Sequence, residues 1–233
     1  GLTTVIMSAL MGLTATDIKR VIAYSTLNSL GMMFVALGSG SVTAAMLYLF
    51  VHGYFKALLF LGSGSVIHAT EQQDMNELGG LAKKMPITSF CFFVGAFAVS
   101  GLPPFNGFQS KLALFVAGAG AGDWWAVIIG IAGSLVTLVV LVKAAKNVFW
   151  GKLSEAAAPT VREAPASVLI AMVILAALCL WIGLYPKSVY APLKAASAMV
   201  QTVGNSGSQT AEPPNLRTAE LSHRGKDARN VNR

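Results

Sequence analysis

Long stretches without a charged residue restrict this chain to a membrane-embedded fold. Within its 233 residues, no Asp, Glu, Lys or Arg occurs from Val21 to Phe55, from Met85 to Ser110, from Trp124 to Val142 or from Ala164 to Pro186. A run of about 18 apolar residues indicates a helix that spans the bilayer. A core helix of a soluble domain would show a polar stripe at helical period, and these stretches lack one.

We therefore predict an all-α fold, a polytopic bundle of about six transmembrane crossings. The joints between them are rich in Gly, Ser, Pro and Asp, which favour turns. The predicted crossings are residues 1–16, 21–38, 43–69, 86–120, 124–149 and 166–186. The first crossing is short and Gly1 opens directly into an apolar run, so we expect that the chain is a piece of a longer protein.

The basic residues predict how the bundle is oriented. Lys and Arg accumulate in short cytoplasmic loops of membrane proteins. If successive crossings alternate in direction, only Lys187 and Lys194 lie near a membrane end on one side. The other side has eight basic residues: Lys19, Arg20, Lys83, Lys84, Lys143, Lys146, Lys152 and Arg162. We expect the side with these eight residues to be cytoplasmic, in a multi-pass protein of a prokaryotic cytoplasmic (inner) membrane.

Composition also argues against several functions. The net charge is +7, but the basic residues do not gather on an amphipathic face with interleaved aromatic residues, so we expect no nucleic-acid partner. Cys91 and Cys179 lie far apart in apolar stretches and have no metal-ligand spacing, so we expect no metal, cofactor or disulfide. From residue 202 to 233 the chain is polar, and we expect a disordered tail.

The third predicted crossing carries a polar stripe. Tyr48, His52 and Lys56 stand at successive i,i+4 positions, which share one face of a helix. An ionisable group inside the membrane is costly and usually faces a protein interior or a hydrated cavity, and imidazole titrates near neutral pH. The stripe is typical of a proton path. The alternative is that Lys56 reaches a membrane interface and His52 bonds a neighbouring carbonyl.

The fourth predicted crossing is interrupted in its middle by GLPPFNGFQSK, residues 101–111. Pro103 and Pro104 remove two backbone donors, and Gly101 and Gly107 loosen the backbone, so a continuous helix is not expected. Broken helices at membrane depth line cavities and often mark ion sites. Lys111 follows the break. The alternative is a helical hairpin with a polar turn, which would invert all later crossings and spoil the charge bias.

Two further lysines have weaker support as ion-path residues. Lys143 lies near the predicted cytoplasmic end of the fifth crossing. A lysine there can extend its side chain to the membrane interface, which explains its presence as well as a role in the ion path does. Lys19 opens the second crossing beside Asp17 and Arg20, where orientation alone accounts for it. His68 ends an apolar run and is an expected interfacial residue.

Four segments in order resemble the proton-conducting antiporter-like family, which includes Mrp-type sodium/proton antiporter large subunits and antiporter-like subunits of respiratory complex I and membrane-bound hydrogenases. They are DIKRVIAYSTLNSLG (17–31), HGYFKALLFLGSGSVIHA (52–69), DMNELGGLAKKMP (74–86) and GLPPFNGFQSK (101–111). The resemblance implies an inverted-repeat transporter fold of which this chain is the second half. Residues 1–149 would be the second five-helix repeat, with its first helix truncated, and 150–201 an added transmembrane helix with its flanks.

The resemblance also implies roles for individual residues. Lys19, His52 and Lys56 would be relay residues of a midplane axis, and Lys111 would stand at the exit half-channel. Tyr48 stands where some complex I members have His, and Lys143 where some relatives have Arg. The double proline is similar to the Mrp and hydrogenase branches rather than to the quinone reductases.

We predict an ion-translocating subunit, for H⁺ or Na⁺ or both, working with membrane lipids and other integral membrane subunits of one complex. We expect no catalytic centre in this chain, and leave open whether it serves a redox enzyme such as an NADH:quinone oxidoreductase or a membrane-bound hydrogenase. The alternative is a scaffold that carries no ions without its missing first repeat or its partner subunits.

Overall fold

The computed structural model describes residues 1–151 and 161–210, and the statements below concern these residues. Their fold is helical throughout, with a short 3₁₀ turn at Leu81–Lys83. The helices are α1 (Leu2–Thr14), α2 (Ile18–Gly38), α3 (Val42–Thr70), α4 (Pro86–Ser100), α5 (Asn106–Gly120), α6 (Trp124–Phe149), α7 (Ala166–Leu184) and α8 (Lys187–Thr210).

Four helices, α2, α3, α6 and α7, are long and apolar enough to cross a membrane. α1 and α4 are shorter apolar helices. α1 has 13 residues and so spans only about 20 Å at 1.5 Å per residue. The prediction of an all-α transmembrane bundle is confirmed.

One end of the bundle is held together by backbone hydrogen bonds between loops. The Ile18 amide donates to Gln73 O (3.1 Å) and the Met75 amide to Thr16 O (2.9 Å), which joins the start of α2 to the loop after α3. The Gly80 amide donates to Trp150 O (3.2 Å), which adds the end of α6. We call this end the basic side, because it carries Lys19, Arg20, Lys83, Lys84, Lys146 and Arg162.

Glu163 attaches the start of α7 to the same side. Its carboxylate accepts hydrogen bonds from the Ile87 amide (3.0 Å) and from the Thr88 hydroxyl (2.5 Å). These donors lie in the first turn of α4, where backbone N–H groups have no partner within the helix and the helix dipole favours a negative charge. The basic side thus collects the starts of α2, α4 and α7 and the ends of α3 and α6.

The opposite side contains the end of α5. The Ser39 hydroxyl, just after α2, donates to Asp123 Oδ2 at 2.7 Å, and Asp123 is the last of the three residues between α5 and α6. The segment of α4 and α5 therefore starts on the basic side and ends on the opposite side. It is one broken crossing, as the fold prediction required, and not the alternative hairpin.

The prolines and glycines explain the break locally. Pro103 and Pro104 have no N–H to donate to the carbonyls of Val99 and Ser100, so α4 cannot continue. Gly101 closes α4 at φ +81°, a left-handed conformation that glycine adopts without strain. Gly107 lies against α4 so closely that a Cβ there would overlap the carbonyl oxygen of Ala98.

The chain divides into two compact units, and the second begins at Ala195. Its described part is the end of α8, a helix that sequence analysis did not predict. α8 includes residues 202–210, which we expected to be disordered; the rest of the predicted tail, 211–233, lies outside the described residues, as does Lys152. Within α8, the stretch after Pro192, from Leu193 to Ala198, contains three alanines and favours a helix.

Replacing Gly107 with Ala should destabilise the protein because the added methyl group meets the Ala98 carbonyl oxygen. We expect a loss of about 1–3 kcal/mol in unfolding free energy. Gly64→Ala in α3 is the matched control, since nothing lies within 4 Å of a Cβ at Gly64 and Ala favours a helix over Gly. Thermal unfolding in lipid nanodiscs measures both, and equal midpoints would contradict the close approach at Gly107.

Candidate functional site

Lys56 lies in the middle of α3 and is only 5% exposed. Its Nζ donates hydrogen bonds to Ser25 Oγ (2.5 Å) and to Ile22 O (3.1 Å), both on α2. Removing an ammonium group from water costs several kcal/mol unless hydrogen bonds replace its hydration. Neither partner is a carboxylate. The side chain thus lies in the interior between two helices, against the alternative that it reaches a membrane interface.

Tyr48 and His52 continue the polar side of α3. Tyr48 is fully buried, and its hydroxyl donates to Ser29 Oγ at 3.0 Å. His52 is half-buried and packs edge-on against Tyr48 and Phe55, with ring centroids 6.4 and 5.4 Å apart. The buried His52 Nε2 has no hydrogen-bond partner among the described residues. The imidazole is therefore held by ring contacts and keeps a nitrogen free for an incoming donor or acceptor.

Lys111 is the second buried lysine, 3% exposed, and it lies one turn into α5 beyond the break. Its Nζ donates to Ser134 Oγ of α6 at 2.9 Å and to Ser100 O at 3.4 Å. In an unbroken helix the Ser100 carbonyl would accept from the residue four positions on, but that residue is Pro104. The break thus leaves a carbonyl oxygen free, and the Lys111 ammonium group uses it.

One face of α2 serves both lysines. Ser25 and Ser29 stand one turn apart on α2, and the Ser29 hydroxyl donates to the Ser25 carbonyl at 3.0 Å. Ser25 binds Lys56 and Ser29 binds Tyr48. Met32, three residues further, places its sulfur 3.8 Å from Ser134 Oγ, the partner of Lys111. Polar and polarisable atoms of α2 therefore line the region between the two ammonium groups.

Lys111 also borders a groove at the surface of the bundle. The groove has a volume of about 200 Å³, and its walls include Ser100, Leu102, Phe108 and Ser134. Most of this wall is apolar, so the groove gives access to a buried cation from an apolar face.

The structure separates the remaining predicted site residues from these two lysines. Lys19 is exposed in the first turn of α2, where the Asp17 carboxylate accepts a hydrogen bond from the Lys19 backbone amide at 2.8 Å. Lys143 is exposed on α6, and it lies nine residues beyond Ser134, about 13 Å along the helix. His68 is exposed at the end of α3.

Sequence reasoning missed three serines, Ser25, Ser29 and Ser134, as partners of the predicted residues. For Ser25 and Ser29 a signal was available, since two hydroxyls at i,i+4 in a charge-free helix form a polar strip. Ser134 has a second hydroxyl, Thr137, three residues further along α6, but this pattern does not reveal that the partner of Ser134 is Lys111 of the neighbouring α5.

We find no metal centre in the described residues, where no three His, Cys, Asp or Glu side chains are grouped to hold an ion. Cys91 and Cys179 are both free and buried.

The family model for the transmembrane region of NADH:quinone oxidoreductase and Mrp antiporter subunits matches residues 1–137. The chain belongs to this family. The match includes Tyr48, His52, Lys56 and Lys111 and ends within α6.

Curated relatives of this chain include quinone oxidoreductase subunits. It is 50% identical over 120 residues to the NAD(P)H-quinone oxidoreductase chain 5 of Picosynechococcus sp., which covers 48% of this chain and 18% of the relative. It is 40% identical over 149 residues to the NADH-quinone oxidoreductase subunit L of Rickettsia conorii, covering 64% and 22%. The chain thus spans about a fifth of the length of these relatives.

Solved structures of membrane complexes share the fold. A subunit of the Mrp complex from Dietzia sp. aligns with TM-score 0.78 at 24% identity, over 84% of this chain and 45% of the other, and this likeness concerns the fold alone. Respiratory complex I from Thermus thermophilus aligns with TM-score 0.70 at 27% identity, over 82% and 44%. Both are multisubunit membrane complexes, and these relatives and structures represent both the quinone oxidoreductase and the Mrp branches.

Replacing Ser134 with Ala should destabilise the protein, because the Lys111 ammonium group loses its shorter hydrogen bond while it stays buried. Hydrogen bonds to charged groups contribute about 1.5–3 kcal/mol, and we expect a loss of that size in unfolding free energy.

Ser63→Ala is the matched control for Ser134→Ala. Ser63 is fully buried, but its hydroxyl bonds only to the Phe60 carbonyl of its own helix. We expect a change within about 0.5 kcal/mol, since Ala favours the helix. Unfolding of both variants in lipid nanodiscs measures the difference, and a Ser134→Ala effect no larger than that of the control would refute the contact with Lys111.

Proposed function

We propose that this chain is part of an ion-translocating, antiporter-like subunit of a multisubunit membrane complex. The cargo is H⁺ or Na⁺. The observation that supports this most strongly is a pair of lysines, Lys56 and Lys111, buried inside a transmembrane bundle on neutral partners and next to a broken helix. The family membership supports the same function.

The path is proposed to run along Lys56, His52 and Tyr48 on α3 and to continue across α2 and α6 to Lys111. Serine hydroxyls accept and donate hydrogen bonds, so Ser25, Ser29 and Ser134 are suited to pass a proton between the lysines. An ammonium group bound only by neutral groups is not fixed by a counter-ion. Its charge therefore responds to a neighbouring positive charge, which is the property that a relay of lysines needs.

Lys19 and Lys143 belong to the proposal as residues at the basic-side end of the path. Both are exposed, and both lie toward the basic side of the bundle. That side is proposed to be cytoplasmic, because it collects the basic loops. Their exposed side chains are suited to exchange protons with water or with a neighbouring subunit.

The proposed surroundings are membrane lipids and other integral membrane subunits. The bundle exposes large apolar side chains such as Phe34, Phe90 and Trp125, and hydrocarbon chains or apolar helices would cover these. Whether the complex also carries out a redox reaction depends on subunits other than this chain.

Replacing either Lys56 or Lys111 with Met should lower ion flux at least about tenfold, because a neutral thioether cannot carry a proton at that point of the path. Flux is measured in proteoliposomes containing the protein as the cell assembles it, with a pH-sensitive dye inside and either a pH or a sodium gradient across the membrane. A response to the pH gradient shows that H⁺ is carried, and a response to the sodium gradient shows that Na⁺ is exchanged for H⁺.

Lys146→Met is the control, since Lys146 is exposed at the basic side and its replacement removes the same charge outside the path. Its flux should stay near that of the unaltered protein. Flux retained after replacement of either buried lysine would contradict the relay. Absence of flux from the unaltered protein, with assembly intact, would favour the scaffold function.

A further inference from the structure

Asn106 is a buried polar residue that the proposed path does not use. It is the first residue of α5, at the break, and it is 0% exposed. Neither its Oδ1 nor its Nδ2 has a hydrogen-bond partner among the described residues. Buried side-chain amides are nearly always hydrogen-bonded, to protein or to water, because an unpaired amide is costly. Both ends of this amide therefore require a partner.

α7 seals the amide from one side. Gly183 lies against the break so closely that a Cβ there would overlap the backbone of Pro104 and Phe105. The thiol of Cys179, one turn earlier on α7 and also 0% exposed, lies beside the Asn106 side chain. A thiol is only a weak donor and a weak acceptor, so it does not replace a proper partner for the amide.

The chemistry around Asn106 selects the ligand. Its amide offers N–H donors and one carbonyl acceptor. The start of α5 adds backbone N–H groups that have no partner within the helix. A cation would satisfy only the acceptors, and an anion only the donors. A water molecule satisfies both.

We propose that Asn106 binds a buried water molecule at the helix break, enclosed by α5 and by Cys179 and Gly183 of α7. Such a water makes about three hydrogen bonds to groups that the protein leaves unpaired. The site follows from the geometry of the break alone and does not rest on the proposed function.

Radiolytic hydroxyl labelling tests this in the assembled protein in lipid nanodiscs, since radicals formed from a bound water oxidise the side chain that touches it. Cys179 should be oxidised at least several-fold faster than Cys91, which is the same side chain at the same 0% exposure. Equal rates for the two cysteines would overturn the proposal.

Asn106→Leu removes both polar ends of the amide and should lower the Cys179 rate to that of Cys91. An unchanged Cys91 oxidation rate shows that the variant is folded. If the variant unfolds, the comparison of Cys179 with Cys91 in the unaltered protein still tests the proposal. Rapid Cys179 oxidation that persists in a folded Asn106→Leu variant would show that Asn106 does not hold the water, and would also overturn the proposal.

Discussion

The cost of holding an ammonium group inside an apolar bundle is the constraint on which the rest of this structure depends. Lys56 and Lys111 are each buried, and each is held by a serine hydroxyl and a backbone carbonyl. Lys56 shares the Ile22 carbonyl with hydrogen bonds inside α2, since a carbonyl oxygen has two lone pairs. Lys111 bonds to the Ser100 carbonyl, which Pro104 leaves without a helical donor. The break therefore provides a hydrogen-bond acceptor that the buried ammonium group needs.

The same break gives the bundle its connectivity. α4 starts on the basic side and α5 ends on the opposite side, so the two short helices together complete one crossing. Gly107 packs against the Ala98 carbonyl and Gly183 of α7 packs against Pro104, which fixes the interrupted backbone from two directions. Asn106 is enclosed at this junction, where the freed backbone groups and the unpaired amide meet.

The fold followed from the sequence to a large extent, because lipid tolerates few alternatives: charge-free apolar runs have to be helices, and two adjacent prolines have to interrupt one. The predicted stripe of Tyr48, His52 and Lys56 lies on one helix, as its spacing required. The hydrogen-bond partners of the buried residues could not be predicted from the sequence, since spacing along α3 does not show which serines of α2 and α6 lie next to the lysines. The exposure of Lys19 agrees with its place at the start of α2, beside Asp17 and Arg20, and only the family resemblance made it a relay residue. α8 was missed because its polar residues argued against a helix.

A high-resolution cryo-EM map of the assembled protein in lipid nanodiscs tests the central claim most directly, because it locates each ammonium group relative to the bilayer. The account predicts that Lys56 Nζ and Lys111 Nζ lie within the hydrocarbon thickness, bonded to Ser25 and Ser134, with ordered water linking them. Either ammonium group in bulk water or among lipid headgroups, with dry protein between the two, would contradict it.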